Sequence, residues 1–131
     1  MPTLDVRNRG GGAPNTQNLS TAQTGNAAST NTIDRMGDIG PGLLVITSTI
    51  GATPTVTVDI QGSVDGTNWF NIPYALIATP STFVVTSITI TTAVTGRYVL
   101  QGGIPWRFMR LNYTANTNVT LTADVTTFPT T

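Results

Sequence analysis

The chain has 131 residues, no cysteine, no histidine and a formal net charge of zero. Its basic residues are all arginine and its acidic residues all aspartate, and charged side chains make up 9% of the sequence against roughly a quarter in ordinary globular domains. This composition excludes a disulfide framework and a thiolate metal site, removes most groups that move protons near neutral pH, and offers no field for nucleic acid or an anionic membrane. The length suits one domain with one core.

Residues 1–31 hold few large apolar side chains, a glycine triplet at Gly10 to Gly12, and many Asn, Gln, Ser, Thr and Ala residues. Leu4, Val6 and Leu19 are too few to offset backbone ordering at about 1–2 kcal/mol per residue. The sequence therefore predicts a flexible N-terminal arm over 1–31 that orders along a partner, followed by a β-sandwich domain over 32–131. Arg7 and Arg9 form a small cationic head ahead of the glycines. With Leu19 they are the arm's candidate partner contacts.

Ile33 to Met36 reads as a short first strand, closed by Gly37 and Gly40-Pro41-Gly42. Leu43 to Ile50 follows, with Leu44, Ile46 and Ile50 on one side and Thr47 and Thr49 on the other, and Gly51 to Pro54 turn the chain. Val56, Val58 and Ile60 then alternate with Thr57, Asp59 and Gln61. Asp65-Gly66 supplies turn chemistry and Trp69-Phe70 restarts a strand, which predicts a hairpin over 55–72 with one of the two aromatics in the core. Thr82 to Thr91 is a long β-rich run, and Gly96 to Gln101 places Tyr98 and Leu100 on one face. Trp106 to Tyr113 sets Arg107 and Arg110 on opposite sides of the pleat. Val119 to Phe128 closes the chain with Val119, Leu121, Ala123 and Val125 inward. About eight strands at roughly ten-residue spacing, without helical periodicity, point to an all-β, antiparallel two-sheet sandwich of jelly-roll type.

No enzymatic activity is expected, and no catalytic residue, metal ligand or cofactor is assigned. Asp59 and Asp65 are the nearest carboxylates for glycoside chemistry, but one is an outward strand residue and the other a turn residue. Asp65, Thr67 and Asn68 have hard oxygen atoms at calcium-like spacing with too little charge to bind the ion tightly. Trp69, Phe70, Tyr74, Tyr98, Trp106 and Tyr113 fit either a sugar-stacking platform or core and interface anchors, and the second reading carries more weight. Trp106, Arg107 and Arg110 join Arg7, Arg9 and Leu19 as candidate partner contacts. No apolar run reaches the ~20 residues of a membrane span, and the N-terminus lacks the blocks of a signal peptide, so no membrane partner is expected.

The succession LLVITSTIGATPTVTVDIQGSVDGTNWFNIP, TGRYVLQGGIP and WRFMRLNY, with a final Val/Thr/Leu strand, resembles small structural proteins from the virion gene clusters of tailed bacteriophages. The residues that carry it are Ile60-Gln61-Gly62, Gly96 to Leu100, and Trp106-Arg107 with Arg110, over about residues 32 to 128. The resemblance implies a β-sandwich virion component, a capsid decoration or cement protein on the head surface. Its implied partners are the major capsid protein and itself, as a homotrimer. A tail, neck or fibre component and a glycan-binding adhesion module are the alternatives.

Overall fold

The computed structural model describes residues 14–35 and 39–129. Among these residues the chain is all-β and antiparallel. It comprises β1 (Asn15–Gln23), β2 (Ala27–Ala28), β3 (Ile33–Asp34), β4 (Gly42–Ser63), β5 (Phe70–Asn71), β6 (Tyr74–Leu76), β7 (Ile88–Ile90), β8 (Thr95–Leu100) and β9 (Phe108–Thr127). All nine join one continuous sheet ordered β1-β9-β4-β8-β6, with β2 and β3 also on β9 and β5 and β7 also on β4. The all-β, antiparallel architecture is the one expected, with the strands hydrogen-bonded into one continuous sheet.

The axis of the fold is a long ribbon made by β4 and β9, paired from Gly42↔Thr127 to Ser63↔Phe108. The sequence suggests two strands on each side of a turn. The structure instead carries each strand through a bend. Its register shifts between Ile50 and Thr57, and left-handed backbone occurs at Thr53 on one strand and at Ala115 and Asn118 on the other. These irregularities act as bulges, which kink a ribbon and sharpen its twist without ending it. Asn side chains replace the broken ladder. Asn118 donates to the Ala52 carbonyl at 2.6 Å, while Asn116 exchanges hydrogen bonds with the Val119 backbone at 3.0 and 3.1 Å.

Because the bend preserves the alternation, the two arms of the ribbon contribute one inner face. Leu44 and Ile46 from one arm, and Val56, Val58 and Ile60 from the other, are buried in a single core with Met109, Leu111, Leu121 and Val125 of β9. The inward sets expected on these strands are therefore the buried ones, apart from Ile50, which lies at the bend and is exposed. Neither Trp69 nor Phe70 enters the core. Gly62 pairs with Phe70 and Gln61 with Asn71, so the expected hairpin has only this short return strand, and Ile72 fills the core position instead. Of the expected strand over 82–91, Ile88–Ile90 pairs with β4, and Val84 makes an isolated bridge to Tyr74.

The largest departure is at the N-terminus. Asn15–Gln23 is a strand on the edge of β9, paired from Asn15↔Thr127 to Gln23↔Leu121, and Leu19 is fully buried. Residues 14–31 are thus part of the folded sheet rather than an arm. The alternation is masked because only Leu19 and Ser20 face the core, and Ser20 is held there by a 2.6 Å hydrogen bond with the Tyr113 hydroxyl. Residues 1–13 lie outside the described residues, as do 36–38.

Two outcomes follow from this packing. Removing residues 1–31 strips β1 from β9 and deletes Leu19; losing one such buried leucine costs about 2–5 kcal/mol against a total of about 5–15. The truncated chain is expected to lose the cooperative thermal transition followed by far-UV circular dichroism. Gly62 is buried where an added Cβ would lie 2.9 Å from Ile72 Cγ2 and from Trp106 Cβ. Gly62→Ala is expected to destabilise the fold by about 1–3 kcal/mol in urea unfolding, through overpacking.

Candidate functional site

The outer face of the ribbon's second arm brings together Arg107, Arg110 and Asp34 with Trp69 and Phe108. Gln61 pairs with Arg110, Ser63 with Phe108, and Asp34 of β3 also pairs with Phe108. Since Met109 and Leu111 point into the core, Phe108 and Arg110 project outward. The Arg110 guanidinium lies 4.3 Å above the Trp69 ring, and its Nε donates to Gln61 Oε1 at 2.8 Å. Beside it, Arg107 grips Asp34 with a fork of hydrogen bonds at 2.8–3.1 Å and lies 5.0 Å from the Phe108 ring centroid. The Asp34 carboxylate holds the Arg107 proton more firmly than usual by hydrogen bonding and charge. Planar guanidinium groups suit this role because they stack on rings while keeping their edge donors available.

The loop from Ser63 to Asn68 frames the cluster. Asp65 Oδ1 accepts from the Thr67 and Asn68 amides at 2.8 and 2.9 Å and from Ser63 Oγ at 3.0 Å, while Oδ2 accepts from Asn68 Nδ2. Gly66 has a positive φ of 79° and leaves space beside Phe108. The Asp65 oxygens face the loop's own donors, which accounts for the residue as turn chemistry. Among the described residues no cluster of three or more His, Cys, Asp or Glu is placed to hold a metal.

The candidate contacts divide clearly. Arg107 and Arg110 stand together on this face. Trp106 does not: it is buried against the core, with the Arg35 guanidinium 3.8 Å from its ring centroid. Leu19 is likewise a core residue, and Arg7 and Arg9 lie outside the described residues. Arg35 is the residue that sequence reasoning missed. It is buried, and it donates through Nε to the Trp106 carbonyl and through Nη2 to the Ile104 carbonyl. Its only sequence signal is a lone cation following the short strand Ile33–Asp34.

The other aromatic candidates are structural. Tyr113 is buried on Ser20, and burial raises its hydroxyl pKa. Tyr74 and Tyr98 pack edge to face at 5.7 Å, and burial also raises Tyr98, with Tyr74 adding to the shift. A sugar-stacking platform thus reduces to Trp69 and Phe70. At the bend, an open cleft of about 350 Å³ is lined by Thr24, Gly25, Ile50, Asn116, Asn118 and Thr120. Its lining is neutral and holds no titratable side chain.

Four hydrogen bonds to its carboxylate hold Asp65 far below the ordinary aspartate value of 3.8, the backbone amides of Asn68 and Thr67 contributing most. The sign follows from the depression: the charged form's contribution is complete above the unfolded pKa and is lost as pH falls below it towards the folded value. The Asp65 carboxyl is expected to stay ionised by NMR well below the ordinary aspartate value of 3.8, with the Thr67 and Asn68 amide shifts flat from neutral pH down to about 4. Asp65→Asn is expected to speed hydrogen exchange at both amides.

No protein-family model and no curated protein matches the chain in sequence. Among solved structures, the chain is similar to the SPBc2 prophage-derived protein YomS, with a TM-score of 0.63 and 7% identity over 89% of this chain and 94% of that one. It is also similar to the Yersinia pseudotuberculosis-derived mitogen YPM, at a TM-score of 0.31 and 11% identity over 88% of this chain and 84% of that one. The second likeness is too distant to carry an argument. The first establishes a fold shared, over nearly the whole chain, with a phage-derived protein.

Proposed function

We propose that this chain is a non-enzymatic structural protein of a tailed-phage virion, and that it works as a capsid decoration protein bound to the outside of the head shell. The observation that carries the reading is the backbone likeness to a prophage-derived protein over nearly the whole chain, which agrees with the virion-protein resemblance of its strand motifs. The geometry suits such a role. A stiff, bent ribbon presents Arg107, Arg110, Trp69 and Phe108 on one outward face, and Arg and Trp are residue types that concentrate binding energy at interfaces.

The major capsid protein is the partner under this proposal. Many copies on a repeating lattice let individually weak contacts hold, because each bound copy raises the effective concentration of its neighbours' contacts. The part given to a long N-terminal arm contracts, since Asn15–Gln23 belongs to the sheet. The shell contact falls instead on the Arg107 and Arg110 face.

Copy number in purified particles tests the proposal, by quantitative mass spectrometry against the major shell protein. A ratio of one per shell subunit, or a simple fraction of it, is expected. About a dozen copies or fewer would assign the chain to the tail or neck, and absence from particles would end the virion reading.

A further inference from the structure

The two arms of β4 differ on their outer sides. In the second arm the outward positions are Thr57, Asp59 and Gln61, the polar set expected of a sheet with one wet face. In the first arm they include Leu43 and Val45, although Leu44 and Ile46 already supply the inner face. Register extends this apolar surface sideways. Leu43 pairs with Val99 of β8, and Ile77, half exposed, donates its amide to the Arg97 carbonyl at the end of the row containing Val45. The result is an apolar strip of Leu43, Val45 and Val99, bordered by Thr126, Thr122, Thr47 and Thr95, and such a strip on the outer face of an antiparallel sheet has the pattern of a contact that becomes covered.

The charges on the same face say what covers it. Val45 pairs with Arg97 on one side and with Asp124 on the other. The row thus reads cation, valine, anion, with the two charges about 10 Å apart at ordinary strand spacing. Arg97 is exposed and has no ion-pair partner among the described residues, while Asp124 accepts one hydrogen bond, from Asn18 at 2.8 Å. We infer that this face takes a second copy of the same chain, packed sheet against sheet about a two-fold axis that lies between the faces and runs along β4 over Val45.

Rotation about that axis exchanges left and right across the row. Arg97 of one copy then lies over Asp124 of the other, and Asp124 of the first lies over Arg97 of the second, so both charges are matched by one symmetry operation. An axis along the row instead would stack like charges. Val45 meets Val45 and Leu43 meets Leu43 at the centre, at the ~10 Å spacing of packed sheets. The four strands β1, β9, β4 and β8, at about seven residues each, present roughly 450 Å² per copy, or about 900 Å² for the pair, close to the lower bound for a specific interface. The inference stands apart from the shell-binding proposal, which uses the opposite arm's face, and it specifies a two-fold contact in place of the homotrimer implied by the resemblance.

Sedimentation velocity on the full chain tests it. The wild type is expected at twice the 13.8 kDa chain mass. Arg97→Asp and Asp124→Arg, each alone, juxtapose like charges at both contacts and are expected to weaken self-association by roughly tenfold or more. The two single variants mixed in equal amounts are expected to form a heterodimer, and the double charge swap to recover the homodimer. A wild type that stays monomeric up to about 100 μM, a trimeric mass, or single variants that dimerise as the wild type does would overturn the inference. So would a mixture that remains monomeric while both variants keep the wild-type circular dichroism. If a single variant fails to fold, the wild-type mass and the double swap decide.

Discussion

The rest of this structure depends on the register of the β4–β9 ribbon being kept through its bend. Side chains alternate with a period of two, so a one-residue slip on either strand would turn every inward residue of one arm to solvent. The bend avoids this by shifting both strands. Thr53 on β4, and Ala115 and Asn118 on β9, take left-handed backbone within the same short region, and Val56, Val58 and Ile60 emerge on the same side as Leu44 and Ile46. Left-handed backbone is unfavourable for a β-branched threonine. It persists here because the arms on either side are fixed by paired neighbours, and because Asn116 and Asn118 satisfy backbone groups that the interrupted ladder leaves open.

With the ribbon set, the sides are closed by small polar contacts instead of long strands. On one side, Ser20 from β1 reaches Tyr113 on the other arm of β9, and the Asn31 amide donates to the Leu19 carbonyl at 2.9 Å. On the other side, Tyr74 bridges to Val84 while its ring meets Tyr98. Alongside these neutral contacts, the chain uses arginine as a flat packing element. Arg35, Arg107 and Arg110 each lie over an aromatic ring, of Trp106, Phe108 and Trp69 respectively. Arg97 is the described arginine for which no such ring contact occurs, and it sits beside Val45 on the outer face of the first arm.

Strand content and inward faces were legible where alternation is strong, as in Val56 to Ile60 and Val119 to Val125, because burial on one side writes a period of two directly into the sequence. The continuity of β4 and β9 was not legible. Gly51 to Pro54 and Asn116 to Asn118 carry the residue types of turns, and those types serve bulges equally well since both need left-handed or kinked backbone. β1 was hidden for a different reason: an edge strand with one buried leucine and one buried serine has almost no hydrophobic pattern, and its stability comes from pairing with β9. Trp106 misled because tryptophan beside arginine reads the same whether the pair forms an interface or a core. Only the third dimension brings Arg35 over its ring.

The strand that organises the core also distinguishes the two outer faces, and that distinction is visible in its sequence. LLVI at residues 43–46 is apolar on both sides of the pleat, whereas TVTVDIQ at 55–61 is apolar on one. Continuous apolar runs belong to strands covered on both faces, and alternating runs to strands with one wet face. A single strand that carries both patterns on either side of a bend therefore asks for cover over its first arm only. The second arm's wet face holds the stacked arginines, which keep polar edges available to a polar partner. Self-association on one face and attachment through the other are compatible, because the bend directs the two outer faces away from a common core.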